Sequence, residues 1–464
     1  MMSRRWALVA LSCVEVLTAT GIMFGWSALS LALRREGAYD ELCAEGESGC
    51  DAQILRLAAV YAAGATTIPL SGMAWGPLLD AKGAKTARLL SLAIFAPSCV
   101  LFAFADSRTF DVYVPAAALI SVGGMGFFFS HFVIAEHFAA DHFALVHSLI
   151  NCSFDASTVT FTVLELLHRA GATSRALFLG MACLGALYAS LSSEWIWAGH
   201  LSPPAARRRP DAANDDDARA AVAGSIPASA ASSDAAPTPQ FGAGLDESGK
   251  TFSAQVRTPA FAWLMAWSVI AIYRTMLVLG SISEQMSRGG DGDGRSLADA
   301  EDLVRAFNLL ILVSAALTPP FGRFVDARGM PAGFVLVNAL GVFTFAALFA
   351  EPAWVLYLAF LAFGCFRAWN YSLMTTYAQG VFGGESFGKI YGIGAGLAGT
   401  VAAAMQYPTA ALAVKSGGGG YRALDLAMVG AGVASFAFPA FIRSRLRRGR
   451  ETKKRVAETA ATMA

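Results

Sequence analysis

Charge is what this sequence has least of. Of its 464 residues only 15% are Asp, Glu, Lys or Arg and 55% are hydrophobic, where soluble proteins carry roughly a quarter charged residues, so an ordinary soluble enzyme is excluded. Neither sign dominates: 35 Lys and Arg face 34 Asp and Glu, leaving no global field to draw the chain onto nucleic acid, and no nucleic-acid partner is expected. Seven cysteines and six histidines fall without metal-ligand spacing, so no metal or other cofactor is expected. Gly392, Gly396 and Gly399, like Gly123, Gly124 and Gly126, lack the strand-turn-helix setting of a phosphate loop and read as helix-packing positions. With no nucleophile and base grouped together, no enzymatic activity is expected.

What the chain has in abundance is long apolar stretches separated by short polar breaks. The first, 6–33, is too long for a signal-peptide core and lacks a small-residue cleavage site, so it is expected to be retained as a span. Others follow at 55–75, 87–105, 112–135, 143–167, 175–197, 260–282, 303–321, 333–350, 354–376, 387–414 and 424–442, about twelve in all by the length a bilayer requires. Lipid offers no hydrogen bonds to the backbone and the alternation of a barrel is absent, which predicts an all-α polytopic membrane protein. Arg4 and Arg5, then Lys82, Lys85 and Arg88, then Arg323 and Arg328, then the basic tail share one side of such a bundle. That bias places both termini in the cytoplasm, and the plasma membrane is expected over an internal one. Residues 201–257, rich in Ala, Pro, Ser and Asp with no apolar period, read as a disordered cytoplasmic linker. It divides a first six-helix half (1–200) from a second (258–442), with 443–464 a basic cytoplasmic tail.

The halves carry an internal echo. Gly76-Pro77-Leu78-Leu79-Asp80-Ala81-Lys82-Gly83 follows the second span, and Gly322-Arg323-Phe324-Val325-Asp326-Ala327-Arg328-Gly329 follows the second span of the second half. Both need a tight turn with close helix approach at Gly, and an Asp able to meet a helix N-terminus or a neighbouring Arg. Parallel six-helix halves joined by a long linker resemble the major facilitator superfamily over nearly the whole chain. The resemblance implies that these loops gate access by locking one side while the other is open. Its usual base directly after the Asp is replaced by Ala81 and Ala327, with Lys82 and Arg328 one place later.

Narrower segments are similar to solute carrier family 43: Gly25-Trp26-Ser27-Ala28-Leu29, Glu36-Gly37-Ala38-Tyr39 with Leu42-Cys43, His147-Ser148-Leu149-Ile150 through Phe154-Asp155-Ala156-Ser157, Phe387-Gly388-Lys389-Ile390-Tyr391-Gly392, and Gln406-Tyr407-Pro408. That family holds sodium-independent facilitative transporters of large neutral amino acids and an equilibrative purine nucleobase transporter. The resemblance therefore implies a passive alternating-access carrier of a small-molecule solute, with an amino acid expected first and a nucleobase second.

Ionisable groups inside spans mark the path independently, because hydrocarbon makes them costly. Arg274, beside Tyr273 in the seventh span, is the leading substrate candidate, its planar fork suited to a carboxylate or a heterocycle; an interhelical pair with Asp155 or Glu15 is the competing reading. Asp155, near Ser157, and Arg367 with Asn370 in the tenth span are further candidates. Asp155 or Glu15 would serve a proton-coupled symporter, unless pairing with Arg274 or Arg367 holds the carboxylate. Trp26 and Tyr273 offer an aromatic wall, whereas Phe127, Phe128 and Phe129 read as packing or lipid contact. Cys43 and Cys50 share the first outward loop, where an oxidising compartment allows a short disulfide. Beyond its solute and the lipid bilayer no partner is expected, and a monomer is the expected unit.

Overall fold

A computed structural model describes residues 2–44, 50–138, 141–195, 245–287, 297–350, 352–415 and 420–463. These are almost wholly helical, and among them the only β pairing is an isolated bridge between Asp106 and Phe110. Most of the expected linker, 201–244, lies outside the described residues.

The expected spans appear as helices, several of them broken. The first is α1 (Met2–Ala19) and α2 (Trp26–Arg35) joined by a short 3-10 turn. The second and third form one element, α3 (Asp51–Ala103), which turns back at Gly83, where φ is 78°. Then come α4 (Tyr113–His131), the pair α5 (Phe143–Ala156) and α6 (Thr158–Arg169), and α7 (Ser174–Trp195). After the short α8 (Phe252–Gln255), the second half runs through α9 (Pro259–Ser287) and the pair α10 (Leu297–Ala315) and α11 (Thr318–Arg328), bent by 48°. It continues in α12 (Met330–Ala347), α13 (Ala353–Phe382), α14 (Gly384–Lys415), α15 (Gly420–Ala434) and α16 (Ala437–Met463). Length and apolar composition alone qualify six of the described helices as membrane-crossing, or up to seven with the bent pair counted as one; the first and fifth expected spans are each divided by a break. Outward-facing side chains such as Trp354 (65% exposed) and Leu309 (62%) suit lipid and would be costly in water.

Two readings of the chain are corrected by the fold. Arg88, taken as a loop residue marking the cytoplasmic side, is fully buried between helices: one of its guanidinium nitrogens donates to both Glu15 carboxylate oxygens, at 2.7 and 2.6 Å. Its position at the edge of an apolar stretch reflects a buried partner rather than the membrane face. The last part of the expected linker is folded as well. Leu245 is buried, the Glu247 amide donates to the Val381 carbonyl at 2.8 Å, and Gln255 donates to the carbonyls of Glu247 and Phe382 at 3.0 and 2.9 Å. Residues 245–258 thus strap the end of α13, because Leu245 and Gln255 supply the apolar contact and the backbone hydrogen bonds that the preceding low-complexity stretch lacks.

Cys43 and Cys50 are joined in a disulfide, at the end of the bundle opposite the Asp80 and Asp326 loops. Those two ends are called here the disulfide end and the Asp-loop end.

Candidate functional site

The two Gly-x-x-x-Asp repeats each reach across to the other half. Asp80 accepts backbone N–H bonds from Gly388 and Lys389, in the first two turns of α14, at 2.8 Å each. Asp326 accepts them from Ala144 and Leu145, in the first turn of α5, at 2.8 and 3.0 Å. The first turn of a helix presents N–H groups without intrahelical acceptors, as at Ala144 and Leu145, and the positive end of the helix dipole extends the attraction to Gly388 and Lys389 one turn into α14, so each carboxylate docks without needing a cation. This is why the displaced base does not matter: Lys82 and Arg328 are exposed and neither is the partner of its Asp. Gly76 and Gly388 pack backbone to backbone, and Gly322 packs on Leu145 and Ser148, so close that a Cβ on either Gly76 or Gly322 would overlap the opposite helix. Gly83 and Gly329 end the two repeats at φ 78° and 83°, turns that a side chain would strain. Of the eight expected gating residues, Gly76, Asp80, Gly322 and Asp326 meet the other half, while Lys82, Gly83, Arg328 and Gly329 shape or flank the turns.

Further in, α5 and α13 share a polar ladder. His147 donates to Gln379 at 2.7 Å, Ser148 and Ser372 lie 2.6 Å apart, and Asn151 donates to Thr375 at 3.2 Å. Positions 147, 148, 151 and 155 lie on one face of α5. An aromatic plug crosses beside them: Tyr391 meets Phe129 and Phe132, with centroids 5.4 and 6.0 Å apart, and Phe132 meets Phe387 at 5.5 Å. Phe127, Phe128 and Phe129 are all buried, packing residues rather than lipid contacts.

The ladder ends at Asp155, whose carboxylate accepts a hydrogen bond from Arg367 at 3.1 Å. This ion pair joins the halves about midway along α13 and at the end of α5, next to the break that divides the α5–α6 pair, and its side chains keep 7% and 15% of their exposure. Cross-half hydrogen bonds cluster on its Asp-loop side, so the seam is closed at that end. Tyr371 lies one turn from Arg367, Tyr391 is within electrostatic reach of Asp155, and Tyr61 is within reach of Arg367. Trp26 stacks loosely toward Tyr61 at 6.4 Å, which places it at the edge of this group.

Four expected site residues lie elsewhere. Arg274 is 1% exposed inside the second half, sandwiched between the Phe345 and Phe366 rings at 4.9 and 5.0 Å. It meets neither Asp155 nor Glu15, and its Nε and Nη2 have no hydrogen-bond partner. Tyr273 donates to Thr409 at 2.9 Å within the second half. The Ser157 hydroxyl is spent on the Phe154 carbonyl at 2.6 Å, at the break between α5 and α6. Asn370 is fully buried, with neither amide atom hydrogen-bonded. Three tyrosines that composition did not single out, Tyr61, Tyr371 and Tyr391, stand beside the ion pair instead. Tyr371 had a signal, a phenol one helical turn from a buried cation, and Tyr391 fell within a segment similar to solute carrier family 43; Tyr61 had neither.

Reciprocal closure of this kind requires two like halves with a path between them, the build of a membrane transporter rather than an enzyme. Comparison with known families agrees: the Major Facilitator Superfamily pattern matches residues 11–407, and the chain belongs to that superfamily. An equilibrative nucleobase transporter from Bos taurus is 22% identical over 440 residues, 87% of this chain and 88% of its own length. A human large neutral amino acids transporter small subunit 3 is 26% identical over 211 residues, 41% of this chain and 37% of its own. Among solved structures, the human organic anion transporter MFSD10 superposes with a TM-score of 0.60 at 14% identity, covering 94% of this chain and 99% of that one. FucP in the outward conformation gives 0.54 at 12%, covering 94% and 98%.

Proposed function

We propose that this transporter is a sodium-independent facilitative carrier of large neutral amino acids that works by alternating access in the plasma membrane, with both termini in the cytoplasm. The observation that carries this reading is the Asp155–Arg367 pair bridging the halves at mid-depth. A zwitterion offers an ammonium to Asp155 and a carboxylate to Arg367, replacing one bridge by two while the aromatic groups around it receive the apolar side chain. Proton-coupled symport fits less well, since it needs a carboxylate free to change charge and Asp155 is tied to Arg367. A purine nucleobase is the second reading. It is supported by the relative that matches along nearly its full length and by phenol rings able to stack on a planar solute.

Uptake of labelled leucine and labelled adenine into vesicles containing the purified chain tests both. Saturable leucine uptake that ignores sodium, and that falls roughly 10- to 150-fold in D155A or R367A through loss of a charge-assisted hydrogen bond, is the expected result. Adenine uptake without leucine uptake overturns the amino-acid reading and favours the second.

A further inference from the structure

At the Asp-loop end, a cavity of about 1150 Å³ lies between α12, α16 and the Asp326 loop, away from the Asp155–Arg367 seam. Its floor is apolar, built from Met330 and Val335 of α12 and from Phe436, Pro439 and Ile442 of the facing helix region. Its rim is basic: Arg328 on one wall, and Arg443, Arg447, Arg448 and Arg450 along α16. Three acids also line it, Asp141, Asp326 and Glu451. The Asp326 carboxylate is already held by the Ala144 and Leu145 amides, and none of the five guanidinium groups has an ion-pair partner among the described residues. With Asp326 held elsewhere, five guanidinium groups stand against Asp141 and Glu451; the excess positive charge around one cavity is self-repelling, and an anion placed among the arginines reduces that cost.

We infer that this cavity binds the phosphate headgroup of an anionic phospholipid. Guanidinium forks match phosphate oxygens two at a time. The apolar floor is what separates a lipid from a free anion: α12 and α16 carry it straight on from their membrane-spanning parts, at the level where headgroups meet helix ends, so an acyl chain can follow the phosphate down the wall. A soluble phosphate would use the rim and leave the floor empty. The site is also linked to closure. Asp141 and Phe143, from the first half, complete its lining, so the cavity has its full set of walls only while Asp326 holds α5. A bound headgroup therefore favours the closed Asp-loop end, whichever solute the seam carries.

The test is thermal unfolding of the purified full-length chain in detergent, titrated separately with phosphatidylglycerol, phosphatidylcholine and glycerol phosphate. Phosphatidylglycerol is expected to raise Tm, and the other two to leave it unchanged. R443Q/R447Q is expected to need roughly 30-fold more phosphatidylglycerol for the same shift. K454Q/R455Q, which removes two charges farther along the same helix, should respond as the parent does. R328Q, from the opposite wall, should weaken the response by a smaller factor and decides the matter if the double variant fails to fold. Equal losses in the two double variants would show general charge attraction and overturn the site. A full shift from phosphatidylcholine or from glycerol phosphate would overturn its assignment to an anionic lipid.

Discussion

A single methyl group at position 322 probes whether the Asp-loop end is sealed by direct helix contact. Gly322 on α11 lies so close to α5 that a Cβ there would stand 2.5 Å from the Ser148 Oγ and 2.7 Å from both the Leu145 Cα and the Ser148 Cβ. Carbon atoms in comfortable contact are about 3.5–4.0 Å apart, so G322A asks the two helices to separate by about 1 Å. One of the obstructing atoms is backbone and cannot rotate away; overpacking of this kind costs about 1–3 kcal/mol. Because α5 belongs to one half and α11 to the other, the cost falls on the closed state alone and shifts the access equilibrium by roughly 5- to 150-fold. Separation also draws Asp326, one turn along α11, away from the Ala144 and Leu145 amides. The readout is S372C: Ser372 is 2% exposed and faces Ser148 across the seam. An impermeant thiol reagent applied at the Asp-loop face of vesicles should label S372C faster in the G322A background by that factor. The parent without S372C supplies the background from its own cysteines. G180A is the control, because a Cβ at Gly180 would meet nothing within 4 Å. Labelling of S372C at the parental rate in G322A would refute the contact-seal reasoning.

Acid should tighten the same seal. Asp80 lies beyond the second apolar stretch, in the last helical turn before the break at Gly83, and burial pushes its carboxyl up from 3.8 to about 6, although the Lys389 and Gly388 amides and the Lys389 ammonium pull it down. The closed end thus binds the proton more tightly than an open end with Asp80 in water. Its contribution to closure is complete below the ordinary carboxylate value and is lost as pH rises through about 6. Burial shifts Asp326 in the same direction, against the Ala144 and Leu145 amides and the nearby charges of His142 and Arg323. The S372C labelling rate, divided at each pH by that of an exposed cysteine to remove the common loss of thiolate, should therefore fall between about pH 7 and about pH 5, less so in D80N; a flat ratio in the parent contradicts this. Replacing Glu15 alone, as E15Q, strands the buried Arg88 charge and should cost about 3–5 kcal/mol, much of it regained in E15L/R88M; thermal unfolding measures both. Q255A removes the donor shared by the Glu247 and Phe382 carbonyls and should loosen the strap by about 1–3 kcal/mol, read as faster protease cleavage within 245–258.

The helical membrane class was legible because a bilayer imposes about 20 apolar residues per crossing, whatever the protein does. The two Gly-x-x-x-Asp repeats were legible because they occur twice. What remained hidden shares one physical cause: a sequence names side chains, while several decisive partners are backbone groups or lie far along the chain. Asp80 and Asp326 were visible, but their partners are backbone N–H groups, which any residue but proline supplies. Arg274 was visible as a costly cation, but its partners Phe345 and Phe366 are apolar by any composition measure, and only their rings' faces make them acceptors. Arg367 and Asp155 are 212 residues apart, and either residue alone reads equally well as a structural pair. Once those partners are placed, the seal is reciprocal: each half lends an Asp to a helix start of the other, and each crossing relies on a glycine. Neither latch belongs to one half, so neither can be released by an internal rearrangement of one half alone. Release requires relative motion of the halves, and the Asp155–Arg367 pair, where the ladder ends, is where a solute able to satisfy both charges would exchange protein contacts for its own.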